Sequence, residues 1–157
     1  MSDDVEPSVI ARAMEALNAG DLETATILNR ELVRLHDRMG ITIVGITEDS
    51  AETTMELNAD TAGSRLGTVH GGMLATFADV TAALALTRSL DGTGHIQVTT
   101  DMHIRYFRQP KSGPLTARAT VVHRGRLILS AECVICDAEG RDLARATATY
   151  MLAQLPS

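Results

Sequence analysis

VHGGMLATFADVTAALALTRSL, residues 69–90, is the stretch that decides the fold of this chain of 157 residues. From Gly71 onward it is apolar on nearly every side, and a helix without a polar face is typical of a protein interior. Its many alanines also allow a sheet to approach closely. The sequence therefore predicts one central, buried helix over residues 71–90.

Asp79 is the one charged residue between Gly71 and Thr87. Removing a carboxylate from water without a partner is costly, so an aspartate among Ala, Phe and Val is either paired or functional. Two interpretations stay open at this point: Asp79 anchors a neighbouring backbone segment, or it acts as a base.

The helix begins at His70-Gly71-Gly72. Two glycines at a helix start let a ligand approach bare backbone, where exposed N–H groups and the positive end of the helix dipole stabilise a developing oxyanion. An oxyanion hole and a carboxylate on one helix favour acyl transfer. For His70 we favour a positioning role, because histidines before such turns are often structural.

Strands follow the helix. Residues 96, 98, 100, 102, 104 and 106 form a mostly apolar set that alternates with the polar residues 95–105 of odd number, which predicts a strand over 95–106. Further strands are predicted at 115–123, 127–136 and 143–152, and tight turns between them favour antiparallel pairing.

Before the central helix, helical spacing predicts one helix ending near Ala19 and a second from its N-cap Asp21 to the stop at Gly40. A hairpin over 41–57 and a loop over 60–69 come next. The fold class is therefore α+β, with an antiparallel sheet wrapped around one central helix and two extra N-terminal helices. We divide the chain into a helical arm, 1–40, and a main domain, 41–157.

Composition excludes several classes of function. The net charge of −6 and the 3% of aromatic residues disfavour nucleic-acid binding. The acidic start and the lack of an uninterrupted apolar run of spanning length predict a cytoplasmic protein with no membrane partner. Cys133 and Cys136 lie three apart on a predicted strand, so their side chains point to opposite faces and we expect two reduced thiols.

Two segments carry a family resemblance: Gly67-Thr68-Val69-His70-Gly71-Gly72, leading to Asp79, and then Val98-Thr99-Thr100-Asp101-Met102. From about Gly40 to the C-terminus the chain resembles the hotdog-fold acyl-CoA thioesterases of the phenylacetate-degradation (PaaI-like) branch. The glycine pair, the acid on the same helix and the following strand come in family order.

The resemblance implies a homodimer or homotetramer with each site shared between two subunits. Gly71 would polarise the thioester carbonyl, and Asp79 of the other subunit would be the general base or nucleophile. Thr99 falls where the family places a hydroxyl that helps position water, and Ser64 where the family usually has Asn or Gln. No metal or redox cofactor is implied.

Substrate contacts are predicted for two groups of residues. Gly72, Met73 and Phe77 would approach the acyl group. Arg108, Arg124 and Arg126 belong to a stretch without acidic residues, between Tyr106 and Leu127, that suits the phosphates of coenzyme A.

Two alternatives remain. A hotdog hydratase or dehydratase would use a histidine and an aspartate to move a proton, but the helix contains no second histidine. A non-catalytic acyl-CoA sensor would bind thioesters without cleaving them.

Overall fold

An antiparallel sheet of six strands wraps around the central helix in the computed structural model, which describes residues 7–65, 68–90, 92–110 and 112–154. The sheet order is β1-β2-β4-β5-β6-β3, so β1 and β3 are its edges. The helices are α1 (Pro7–Ala19), α2 (Leu22–Leu32), α3 (Arg34–Arg38) and α4 (Gly71–Thr87), which a short 3-10 turn extends to Leu90. The strands are β1 (Thr42–Ile46), β2 (Ser50–Met55), β3 (His95–Tyr106), β4 (Leu115–Arg124), β5 (Ile128–Cys136) and β6 (Asp142–Gln154). The predicted fold class is confirmed.

Small side chains bring α4 close to the sheet. The helix packs against β2, β4 and β5 and also touches β3 and β6. Its buried alanines belong to the same core cluster as buried alanines of the strands, which are Ala51, Ala117, Ala119, Ala131, Ala144, Ala146 and Ala148. Larger residues of α4, such as Leu74 and Phe77, fill the remaining space. The apolar pattern of residues 71–90 thus forms the central helix against the sheet that the sequence predicts.

The N-terminal arm differs from its prediction. The expected second helix is two helices, because Val33 adopts an extended backbone (φ −134°, ψ 101°) that ends α2 and starts α3. The predicted N-cap is confirmed, since Asp21 accepts a hydrogen bond from the Thr24 N–H at 3.1 Å. The break folds His36 back onto Asn29, with 3.2 Å between Nδ1 and the amide Oδ1.

The arm shares its core with the rest of the protein. Ala16 and Leu17 of α1, Ala25 of α2 and Met39 belong to the same hydrophobic cluster as α4. The arm is therefore packed onto the sheet and helix rather than extended away from them.

Strand β3 does not alternate without interruption. Its pairing with β6 shifts register between Thr99 and Asp101. Gln97 and Thr99 both contact α4, and so does Tyr106, although Thr99 and Tyr106 are an odd number of residues apart. An extra residue in a strand resets the alternation of faces. The predicted strand over 95–106 is confirmed, but the bulge changes which residues face α4 on its two sides.

One segment, Gly71–Leu90, is long and apolar enough to cross a bilayer despite its two charged residues. In the structure it forms α4 and the 3-10 turn, whose core-facing side is enclosed by the sheet.

The two cysteines of β5 are free, as expected, and burial raises the pKa of the Cys133 thiol to about 12.

Candidate functional site

At the start of α4, the Gly71 N–H has no hydrogen-bond acceptor among the described residues. His70 is the N-cap, and its Nδ1 accepts a hydrogen bond from the Gly72 N–H at 3.0 Å. The Gly71 N–H is at the first helical position, where the helix itself provides no acceptor. His70 therefore holds the helix start through its side chain, and Gly71 rather than Gly72 keeps a donor for a ligand.

Two residues that the sequence analysis missed fix this helix start. The Tyr106 hydroxyl, at the end of β3, donates to the Gly71 carbonyl at 2.9 Å. The Gln109 side-chain oxygen accepts from the Val69 N–H at 2.9 Å. Both partners are distant in sequence, so no local pattern pointed to them. They attach the loop before α4 to the end of β3.

Asp79 is half-buried and hydrogen-bonded. Its Oδ1 accepts from the Thr99 hydroxyl at 2.9 Å and from the Tyr150 hydroxyl at 3.0 Å, and the Tyr150 hydroxyl is also 3.0 Å from the Asp79 backbone carbonyl. Tyr150 is fully buried, and its pKa is raised by that burial and by the nearby Asp79 charge. The other carboxylate oxygen, Oδ2, accepts none of the hydrogen bonds found among the described residues. Asp79 is therefore paired through one oxygen and has a second oxygen available for chemistry.

Gly71 and Asp79 are too far apart to act on one carbonyl within a single chain. They are eight residues apart on α4, which is about 12 Å along the axis at 1.5 Å per residue. A base and an oxyanion donor each have to come within about 3 Å of the reacting group. Within one chain, therefore, Gly71 and Asp79 do not form a complete site of this kind.

A cavity of about 310 Å³ lies beside Asp79, between the N-terminal arm and α4. Most of its wall is apolar, with residues from α1, α2, β1 and α4. Its polar residues are Asn29, His36, Asp79, Thr87 and Gln97. Burial lowers the pKa of His36, against the raising effect of the Asp79 charge.

The remaining candidates, Ser64 as a catalytic residue and Met73 and Phe77 as acyl contacts, lie in different surroundings. Ser64 is exposed in the loop before α4. Met73 is partly buried against the core. Phe77 is fully buried in the core, with 0% exposure, so its ring presents no surface to a ligand in the isolated chain. Among the described residues, no group of three His, Cys, Asp or Glu side chains lies close enough to hold a metal ion.

The predicted basic stretch is partly neutralised. Arg124 pairs with Asp49 and the Glu48 carbonyl, and Arg118 makes a bidentate pair with Glu52 at 2.9 and 3.1 Å. Asp49 and Glu52 belong to the β1-β2 hairpin. This hairpin is far from the arginines in the sequence, so the sequence analysis did not predict these ion pairs.

Arg108 and Arg126 are exposed, but they lie at opposite ends of the sheet. Arg108 follows β3, two residues after Tyr106. Arg126 lies in the β4-β5 turn, at the end of the sheet where β5 pairs with β6 near Tyr150. Lys111 is outside the described residues. A single chain therefore does not gather the predicted phosphate contacts into one patch.

Comparison with known proteins gives a consistent result. Residues 66–144, half of the chain, match the family model described as Thioesterase superfamily. A Haemophilus influenzae protein described as "Putative esterase" is 34% identical over 90 residues, which are 57% of this chain and 64% of that protein. The chain thus spans less than two thirds of this curated relative, and 61% of a Saccharolobus solfataricus one.

Solved structures agree over more of the chain. The crystal structure of a thioesterase from Haemophilus influenzae is 28% identical, with a TM-score of 0.78, and the match covers 87% of this chain and 92% of that one. A mutant thioesterase from Pseudomonas aeruginosa, at 22% identity and a TM-score of 0.77, covers 85% and 94% respectively and supports the fold alone.

Proposed function

Because this chain belongs to the thioesterase superfamily and has the hotdog fold, we propose that it hydrolyses an acyl-CoA thioester to the free acid and CoA. The observation that carries the proposal is Asp79, whose Oδ1 is fixed by two hydroxyls while Oδ2 stays available. An open N–H at Gly71 supplies the second requirement of acyl transfer, a donor for the developing oxyanion.

The reaction follows from these two groups. Asp79 takes a proton from water, and the water oxygen forms a bond to the thioester carbon. The carbonyl oxygen becomes an oxyanion that accepts the Gly71 hydrogen bond. The carbon–sulfur bond then breaks, and the CoA thiolate receives the proton from Asp79. Thr99 and Tyr150 keep the carboxylate oriented through their hydrogen bonds to Oδ1.

A dimer would bring the two groups together. On β3, Tyr106 is hydrogen-bonded to Gly71, and Thr99 is hydrogen-bonded to Asp79. The bulge between them lets the side chains of Tyr106 and Thr99 both face α4. β3 is a free edge of twelve residues. If two β3 strands pair antiparallel with Tyr106 opposite the second copy's Thr99, Gly71 of one copy approaches Asp79 of the other.

The same pairing bears on coenzyme A. Arg108 lies at the Gly71 end of β3, and the turn holding Arg126 lies at the Asp79 end. An antiparallel dimer would place Arg108 of one copy near Arg126 of the other. We therefore propose these two arginines as phosphate contacts, ahead of Arg124, whose guanidinium already pairs with Asp49.

Steady-state hydrolysis of a panel of acyl-CoA esters by purified protein tests the proposal. We expect release of free CoA from at least one ester, and loss of that activity in Asp79→Asn. Isothermal titration with a non-hydrolysable thioether analogue runs in parallel. Analogue binding without hydrolysis of any ester would replace the enzyme with an acyl-CoA binding protein.

A further inference from the structure

The cavity beside Asp79 is sized for an organic group. Its volume of about 310 Å³ is roughly ten times the space that one water takes in the liquid. Apolar side chains from α1 and α4, including Met14, Leu17 and Val80, form much of its wall. An acyl chain would exclude water from this wall, whereas a single ordered water would leave most of it unfilled.

The Asn29 side chain carries a buried donor that lacks a partner among the described residues. Asn29 lines the cavity, and its Nδ2 is buried without a hydrogen bond to any described residue. The amide Oδ1 is already 3.2 Å from His36 Nδ1. By contrast, Thr87 and Gln97 use their polar groups on the Ala83 carbonyl and on each other. A buried donor without an acceptor is unfavourable, and a ligand oxygen would satisfy it.

Charge restricts what that oxygen can be. Among the described residues, the titratable groups that line the cavity are Asp79 and His36. Burial lowers the pKa of His36, which favours the neutral imidazole, and the Asp79 carboxylate contributes negative charge. A carboxylate at the end of an acyl group would meet repulsion without a compensating cation, so an uncharged carbonyl oxygen fits better.

We propose that the arm-helix cavity is the acyl pocket and that Asn29 is a specificity-determining residue, donating a hydrogen bond to an uncharged oxygen on the acyl group. The inference rests on the proposed hydrolysis at Asp79. It assigns a function to the N-terminal arm, which lies outside the matched residues 66–144.

The test compares hexanoyl-CoA with 3-, 4- and 5-oxohexanoyl-CoA and with adipyl-CoA, whose chain ends in a carboxylate. We expect wild type to prefer at least one oxo ester over hexanoyl-CoA by about tenfold in kcat/KM, which is the size of one hydrogen bond. Adipyl-CoA should be a poorer substrate than hexanoyl-CoA. Equal kcat/KM for hexanoyl-CoA and every oxo ester would overturn the proposal, and so would a preference for adipyl-CoA.

Asn29→Leu tests whether Asn29 causes the preference for the oxo ester. This variant keeps the side-chain size but has no donor, so the ratio of kcat/KM for the preferred oxo ester to kcat/KM for hexanoyl-CoA should fall to about one. Ile27→Ala, on the same helix but 58% exposed, is the matched control and should keep the preference. A preference that survives in Asn29→Leu would contradict the assignment.

Pocket shape has its own test, which does not depend on Asn29. Ala13→Leu, on the α1 wall, narrows the cavity and should lower kcat/KM for octanoyl-CoA more than for butanoyl-CoA. Circular dichroism checks that the variant is folded. An equal effect on both esters would place the acyl group elsewhere.

Failure of the proposed function would be recognisable separately. If wild type hydrolyses no ester, titration with the thioethers hexyl-CoA and 3-, 4- and 5-oxohexyl-CoA still tests the pocket. Tighter binding of at least one oxo thioether that disappears in Asn29→Leu would support the pocket in a binding protein. Equal binding of hexyl-CoA and all three oxo thioethers would overturn it.

Discussion

Asp79 combines two properties that a general base needs, a fixed orientation and a free oxygen. Asp79→Asn keeps the volume and both hydroxyl contacts but cannot accept a proton from water. We expect kcat to fall by about 10²- to 10⁴-fold, the range of general-base catalysis, with analogue affinity retained. Stopped assays for CoA release and titration with a thioether measure the two quantities. Near-wild-type kcat would remove Asp79 from the mechanism.

The hydroxyl of Thr99 should matter through Asp79 alone. Thr99→Val removes the hydrogen bond to Oδ1 and leaves the carboxylate to one donor, Tyr150, so we expect kcat to fall about tenfold with little change in KM. Thr99→Ser restores a hydroxyl and should recover most of the rate. If valine and serine have the same kcat, the contact has no role in orienting the base.

Two variants of His70 distinguish a positioning role from direct catalysis by the imidazole. Asparagine is a good N-cap and alanine is a poor one, so His70→Ala should lose about 1 kcal/mol of stability and some activity, whereas His70→Asn should keep both. Thermal unfolding and kcat/KM are the measurements. Loss of activity in a stable His70→Asn variant would show that the imidazole itself takes part.

At the scale of residues, the sequence identified what is local. His70, Gly71 and Asp79 stand out because a cap, a glycine pair and a lone charge are visible within one helix. Tyr150 and Tyr106 do not stand out in the sequence, since they are 71 and 35 residues from their hydrogen-bond partners. Such contacts depend on how strands are registered, which no local pattern specifies.

Among the elements, β3 shows where periodicity fails. Its alternation predicts a strand correctly, but the bulge near Thr100 changes which residues face α4. A single extra residue leaves the hydrophobic pattern almost unchanged, so the sequence alone did not reveal it. The split at Val33 is similar, because one extended residue divides a helix without interrupting its apolar stripe.

The arm is an integral part of the fold, and adjacent residues of α2 test this. Leu28 is 2% exposed, whereas Ile27 is 58% exposed. Leu28→Ala should lower the free energy of unfolding by about 2–5 kcal/mol, as core truncations do, and Ile27→Ala should change it by less than about 0.5 kcal/mol. Chemical denaturation at fixed protein concentration measures both. A loss below about 0.5 kcal/mol for Leu28→Ala as well would contradict the packing of α2.

On the scale of the whole molecule, the unpaired edge of β3 predicts self-association. The twelve-residue edge is largely exposed and includes Val98 and Tyr106, and long exposed edges tend to pair with another strand. We expect a dimer or a higher even-numbered oligomer in sedimentation velocity at micromolar concentration. An active monomer would contradict the shared site.

A proline variant isolates the oxyanion donor for the decisive measurement. Gly71→Pro removes the N–H at the first helical position, where proline is favoured, and His70 already has the extended backbone that precedes proline (φ −64°, ψ 131°). A Cβ at Gly71 would meet the Tyr106 ring at 3.6 Å, an ordinary contact. The variant should therefore fold, yet lose activity.

The central claim, one site built from Gly71 of one copy and Asp79 of another, is tested most directly by mixing two inactive variants. Asp79→Asn and Gly71→Pro, co-expressed with different tags and purified through both, give a mixed dimer. If the site is shared, one of its two sites is intact, and activity should return to about half that of wild type. Activity no higher than that of the two parent proteins would contradict the account.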